Sequence, residues 1–291
     1  MREPTPRTSR LAIAAGLLAM LAIGGLGFLL GRAGQPQAAP PANQAAPAPD
    51  PATAPPHEEP RNFARADLVT MAAQAADAAA SGAPVPGAVD EAAGRRFDLL
   101  LPFGCDGPAA GEGGAPLRWR YDEAGEVLRV HAQPTSWTAA DWNIGAATGI
   151  EAIEGFWIAR PWSSSGACPA GTGQALVTGS EPVTLPGQTL AVAQFLAGDA
   201  RREAGRGARP FELVRRLPRA ALDASRGFRL RLLGRIGRVP GGGPVRCVQP
   251  AGTEQRPICV IAVTLAEVRI ENAATGAVLA TWPVGGEVRT N

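Results

Sequence analysis

The sequence predicts a mainly β protein. A single N-terminal transmembrane helix leads through a Pro/Ala-rich linker and a short helix to an antiparallel β-sandwich or barrel-like domain with disulfides. Three observations carry that prediction. Leu11–Leu30 is an apolar run without a charge. Nine short strand-like runs lie between Phe97 and Trp282, separated by turn residues. The 36 Gly and 28 Pro, set against 5% aromatic residues, disfavour a helical bundle. The chain of 291 residues is 45% hydrophobic and 19% charged, enough apolar material for a buried core. We divide it into a cytoplasmic N-terminus (1–10), the transmembrane helix (11–31), the linker (32–60), a short helix and connector (61–96) and a periplasmic all-β domain (97–291). A split of the last part near residue 200, at its Gly- and Arg-rich loop, is the alternative.

The apolar run is about 30 Å long as a helix, the thickness of a bilayer core. Arg2, Arg7 and Arg10 precede it and Arg32 alone follows it closely. The positive-inside rule therefore keeps the N-terminus in the cytoplasm and exports the rest. A cleaved signal peptide is the competing reading, with small residues at Ala38 and Ala39 as a cleavage site. The apolar run exceeds the usual h-region, which favours an anchor in the inner membrane. Gly27 and Gly31 form a GxxxG pair through which two such helices would approach closely as a homodimer.

The linker carries nine Pro and nine Ala without apolar periodicity. It reads as a polyproline II spacer reaching about 85 Å when extended. Asn62 is placed to cap a helix over Phe63–Ala80, with Phe63, Leu68 and Met71 on one face, and Pro84 and Pro86 end it. The strand runs are 97–101, 117–121, 126–132, 154–162, 188–196, 211–216, 228–236, 258–271 and 277–282. Asp122–Gly125 joins the second and third as a hairpin, and Asn272–Gly276 joins the last two.

Four cysteines, all beyond the apolar run, read as two disulfides in an oxidising compartment. Cys247–Cys259 is the local pair, closing a polar hairpin loop, which leaves Cys105–Cys168. Zinc is disfavoured because no two cysteines have the close spacing of a metal knuckle, so no metal or cofactor is expected. His131 is the single histidine of the strand region, and a lone strand histidine reads as structural. No phosphate-binding glycine loop, HExxH or GxSxG is present. Asp106, Asp141, Glu151 and Glu154 would be the carboxylates of a glycan hydrolase, but no spacing selects two of them.

A net charge of +2 gives no whole-chain attraction to nucleic acid. The charge is unevenly distributed: residues 97–198 hold 4 Arg against 10 acids, and residues 199–239 hold 12 Arg against 4 acids. In the run 228–236, Arg229, Arg231 and Arg235 share strand parity, a row of guanidinium groups suited to an anionic ligand. Glu267 and Glu271 share a face on a later run and would consume that charge by cross-strand pairing. Trp137, Asp141 and Trp142 form a second candidate, aromatic faces beside a carboxylate that suit a sugar ring or peptide; core packing is the competing role. The function these readings favour is a membrane-anchored periplasmic binding or interaction module of the bacterial cell envelope. Its partner would be an anionic envelope component or a protein. An envelope glycan hydrolase and a structural subunit of an envelope assembly are the alternatives.

Overall fold

The computed structural model describes residues 61–111, 115–145, 148–169, 188–198 and 209–284. The expected transmembrane helix at 11–31, its Gly27–Gly31 pair and the 32–60 linker lie outside these residues. Among the described residues no helix is long and apolar enough to cross a membrane.

The Ala-rich segment forms helix α1 (Arg65–Ser81), followed by the single turn α2 (Gly87–Asp90). The helix starts two residues later than the sequence suggests, and Asn62 does not cap it. Phe63 is spent on a parallel bridge to Phe97: its N–H donates to the Arg96 carbonyl at 2.8 Å, and its carbonyl accepts from the Asp98 N–H at 2.9 Å. The first turn is closed by Asp67, whose Oδ2 accepts from the Ala64 N–H at 2.8 Å, while Arg61 donates to both of its carboxylate oxygens.

Eleven strands follow among the described residues. They are β1 (Arg96–Phe103), β2 (Leu117–Asp122), β3 (Val127–Ala132), β4 (Thr135–Trp137), β5 (Ile150–Trp157), β6 (Leu190–Ala197), β7 (Phe211–Arg216), β8 (Phe228–Ile236), β9 (Val245–Val248), β10 (Ile258–Asn272) and β11 (Val278–Pro283). The short β4 and β9 have too few residues to show a period and are absent from the sequence reading. The larger sheet runs β1-β8-β10-β6-β5-β4, with β9 and β11 also paired to β10; β2-β3-β7 form a separate three-stranded sheet.

The expectation of a wholly antiparallel fold is corrected at one place. β6 and β10 run parallel, with Cys259 opposite Leu190. More than fifty residues separate these two strands, a connection long enough for the crossover that a parallel pair needs.

The inner faces of the two sheets share one core. Leu99, Leu101, Leu230, Leu232, Val268 and Ile270 meet Trp119, Leu128, Val130 and Phe211 there, and α1 adds Leu68 and Met71. Trp119 packs edge-on to Phe228 with centroids 5.3 Å apart. A second core lies around Trp142, Ile153, Ala191, Ala193 and Val260. Cys259–Val263 of β10 are therefore buried without a break, and alternation appears only from Thr264 onward. A bulge between Leu265 and Glu267 switches the inward parity from Val263 and Leu265 to Val268 and Ile270. Gly155 on β5 allows close approach to β6, since a Cβ there would lie 1.9 Å from the Val192 carbonyl oxygen.

Both disulfides form within the described domain. Cys247 and Cys259 are direct cross-strand partners of β9 and β10, and Cys105–Cys168 ties the loop after β1 to the segment after β5.

Arg61, through its hydrogen bonds, holds the Asp67 carboxyl below its ordinary value. Its stabilising contribution is thus complete above the unfolded value of about 3.9 and is lost as the pH falls through the depressed folded value. Asp67→Ala is expected to cost about 1 kcal/mol at neutral pH. The difference from wild type should vanish toward pH 2 in urea titrations, and a loss that persists there contradicts this role.

Candidate functional site

The two sheets carry arginine-rich outer faces, and they differ in how the charge is met. On the larger sheet the register places Arg231 opposite Arg269 and Arg229 opposite Glu271, with Asp98 and Glu267 on the same face. Arg231 donates Nε to Asp98 Oδ1 at 2.8 Å and Nη1 to Glu271 Oε1 at 3.1 Å. The hydrogen bonds that it donates to Asp98, with the one to Glu271 adding to them, raise its guanidinium above the ordinary arginine value. Arg269 pairs with Glu267. Arg229 donates Nη2 to the Ala273 carbonyl, and Arg235, opposite Arg96 at the first residue of β1, donates Nη1 to the Gly94 carbonyl. Of the row Arg229, Arg231, Arg235 singled out in the sequence, Arg231 is thus held by two carboxylates, Glu271 among them at 4% exposure, and the other two rest on backbone carbonyls.

The second sequence candidate lies in the smaller core. Trp142 is 2% exposed and packs against Trp137 and Trp157 with centroids 5.8 and 6.5 Å away. Asp141 turns back on its own loop, accepting from the Thr138 N–H at 2.7 Å and its hydroxyl at 2.9 Å. Arg246 donates to the Trp142 and Asn143 carbonyls and holds that turn on β9. Trp137, Asp141 and Trp142 are therefore together as expected, in an arrangement that closes a core. Of the two tryptophans flanking Arg160, Trp157 joins this cluster and Trp162 stands 57% exposed.

The outer face of β2-β3-β7 is the one the sequence reading passed over. In LRWRY the inward Trp119 alternates with Arg118 and Arg120, and in VLRVHA the inward Leu128 and Val130 alternate with Arg129 and His131. The hairpin turn sets their register. Asp122 Oδ1 accepts from the N–H groups of Ala124 and Gly125, and Glu126 adopts φ 50°. Arg118, His131 and Glu212 then form one cross-strand row, and Arg120, Arg129 and Val214 the next. Asp122, Val127 and Arg216 form the third.

Among the described residues of these three rows, four arginines stand against two carboxylates, and both carboxylates are engaged. Asp122 closes the turn, and Glu212 Oε1 lies 2.9 Å from His131 Nδ1. Arg118 donates Nη1 to the Ala115 carbonyl at 3.2 Å. The Arg129 side chain is exposed and, among the described residues, has no hydrogen bond or ion pair. These side chains line an open depression of about 290 Å³. From below, Trp119 Nε1 donates to the Gly104 carbonyl and Tyr121 Oη to the Leu217 carbonyl at 2.7 Å, so the strand bearing Arg118 and Arg120 is fixed in place.

The carboxylates considered for hydrolysis are dispersed. Asp106 and Glu151 are exposed, Asp141 caps its turn, and Glu154 is buried on β5. Among the described residues no three His, Cys, Asp or Glu side chains converge in a way that would hold a metal. No family model matches the chain, and neither does any curated protein or solved structure.

The two arginine faces should respond oppositely to substitution. Arg231→Met strands the Glu271 carboxylate and is expected to cost about 3 kcal/mol, whereas Arg129→Met removes a like-charge neighbour of Arg120 and should leave the denaturation midpoint unchanged or raised. Equal losses in chemical denaturation would contradict the distinction. Trp142→Ala is expected to lose about 3 kcal/mol or more, from the cavity it opens in the second core. Unchanged stability in that variant would return Trp142 to the list of ligand contacts.

Proposed function

We propose that this chain is a membrane-anchored, periplasm-facing binding module of the bacterial cell envelope, whose β domain captures an anionic component through the outer face of β2-β3-β7. The observation that carries the reading is Arg129, exposed on that face and without a side-chain hydrogen bond or ion pair among the described residues, while the neighbouring Asp122 and Glu212 carboxylates are already engaged. Charge of one sign lining a depression concentrates anions and speeds their encounter. The two disulfides agree with an oxidising compartment. The uncharged run at 11–30, with three arginines before it, supplies the anchor, and the Pro-rich 32–60 stretch supplies reach beyond the lipid surface.

The full chain in native membranes should show no free thiol until reductant is added, when all four cysteines become alkylatable. Four free thiols without reductant would place the domain in the cytoplasm and end the envelope reading. On a sulfated polysaccharide matrix the purified full chain should elute at a salt concentration that falls when Arg118 and Arg129 are both replaced by Gln. Unchanged elution in that double variant would remove the binding face from the proposal.

A further inference from the structure

We infer that the groove between helix α1 and the turn bearing Trp162 is a docking site for an acidic segment of a partner polypeptide. One aliphatic side chain of that segment enters the groove, and a neighbouring carboxylate pairs with Arg256. The groove shares no residue with the depression on β2-β3-β7. Residues three and four apart lie on one face of a helix, and here that face carries Ala72, Ala73 and Ala76. Their short side chains leave a furrow beside the helix, and Trp162, Arg256 and Pro257 complete its lining.

The backbone holds Trp162 out in solvent, at 57% exposure. Arg160, Pro161, Trp162 and Ser163 make a turn, closed by the Ser163 N–H on the Arg160 carbonyl at 2.9 Å, with Pro161 at its second position. Arg160 adopts φ 51°, a conformation that disfavours a side chain of its size. The buried Arg65 fixes the same turn by donating to the Arg160 and Ser163 carbonyls. A strained, tied turn that presents a large apolar ring to water is explained by a partner that covers the ring. Tryptophan and arginine are also the residue types on which binding energy concentrates at protein interfaces.

The chemistry of the partner follows from charge and shape. Arg65 donates only to carbonyls, and Arg160 donates to the Ala167 carbonyl. Arg256 is exposed and its side chain has no hydrogen bond or ion pair among the described residues. No carboxylate is among the described residues that line the groove, so its complement is an anion. Thr189, 9% exposed, also lines it, and the Thr189 hydroxyl has no hydrogen bond among the described residues. A peptide backbone in the groove would satisfy that hydroxyl. The volume of about 50 Å³ takes the tip of one side chain. That is far short of the roughly 300 Å³ or more that encloses a small-molecule ligand, which favours a polypeptide. As the one large exposed hydrophobic residue of the groove, Trp162 is too little to enter a lipid surface.

The test is fluorine NMR of the full chain, labelled with 5-fluorotryptophan and held in phosphatidylcholine nanodiscs. The Trp162 resonance is identified by its loss in Trp162→Phe. Titration with acetyl-Glu-Leu-Glu-amide should shift that resonance and leave the resonance of the buried Trp142 in place. Acetyl-Lys-Leu-Lys-amide and acetyl-Glu-Ser-Glu-amide should each bind at least about fivefold more weakly. Arg256→Gln should weaken the acidic peptide about fivefold, the upper range for an exposed ion pair. Ala73→Leu, at a half-exposed position where leucine suits a helix, should fill the groove and abolish the shift with melting unchanged. Equal binding of the lysine peptide overturns the acidic assignment, and equal binding of the serine peptide overturns the aliphatic slot. A Trp162 resonance that no peptide moves overturns the docking site, as does a shift that Arg256→Gln and Ala73→Leu both leave intact. A Trp162 shift in phosphatidylglycerol nanodiscs without peptide would assign the groove to anionic lipid and overturn the polypeptide partner.

Discussion

Strand β10 is the constraint on which the rest of the fold depends. Its fifteen residues form ladders with β6, β8, β9 and β11. A buried backbone must place every N–H and C=O, and a strand buried along much of its length can do so only through neighbours. β6 and β9 accordingly flank its early part and β8 and β11 its late part, while between them β8 alone pairs with Val263–Leu265 and the Leu265 N–H donates to Gln194 Oε1. The bulge near Ala266 separates the two regimes and turns the later side chains so that Val268 and Ile270 face the main core while Glu267 and Arg269 face solvent. The Cys247–Cys259 bridge then pins the start of β10 to β9.

A second constraint acts through Arg65. Its guanidinium, at 4% exposure, donates to the carbonyls of Leu100, Ala159, Arg160 and Ser163. Burial, with the nearby charge of Arg160, lowers its pKa to about 10. One side chain thus joins helix α1 to strand β1 and to the segment after β5 that leads to Cys168. Loop carbonyls have no ladder of their own, and a five-donor planar group is suited to gather several of them. The exposed Trp162 stands on this tied segment, between two of the carbonyls that Arg65 holds and the disulfide.

The two arginine faces show how the same residue serves opposite ends. On the larger sheet Arg231 of β8 joins Asp98 of β1 to the buried Glu271 of β10, where a missing partner would leave a desolvated charge. On the smaller sheet the guanidinium groups stand over a depression, and their support comes from below, through Trp119 and Tyr121. The first arrangement uses its charge to hold strands together; the second leaves Arg129 exposed, with no side-chain partner among the described residues.

Much of this was legible in the chain itself. Alternation located most strands to within a few residues, because a half-buried strand must repeat every two residues. The Asp122–Gly125 turn and the even set of cysteines in one segment were local signals of the same kind. Even the basic face had a local signature, since Arg118, Arg120 and Arg129 share a side of a hairpin whose register its turn sets. What the sequence could not decide was which strand lies beside which. The parallel β6–β10 pair, the capture of Phe63 by β1, the balancing of Arg231 by Asp98 and the four carbonyls on Arg65 all join residues far apart along the chain. Periodicity determines which way a side chain faces, while the identity of its neighbour is set only when the sheets close on a common core. That is why the chain by itself pointed to a row of arginines, and only the tertiary structure decided which arginines it had already used.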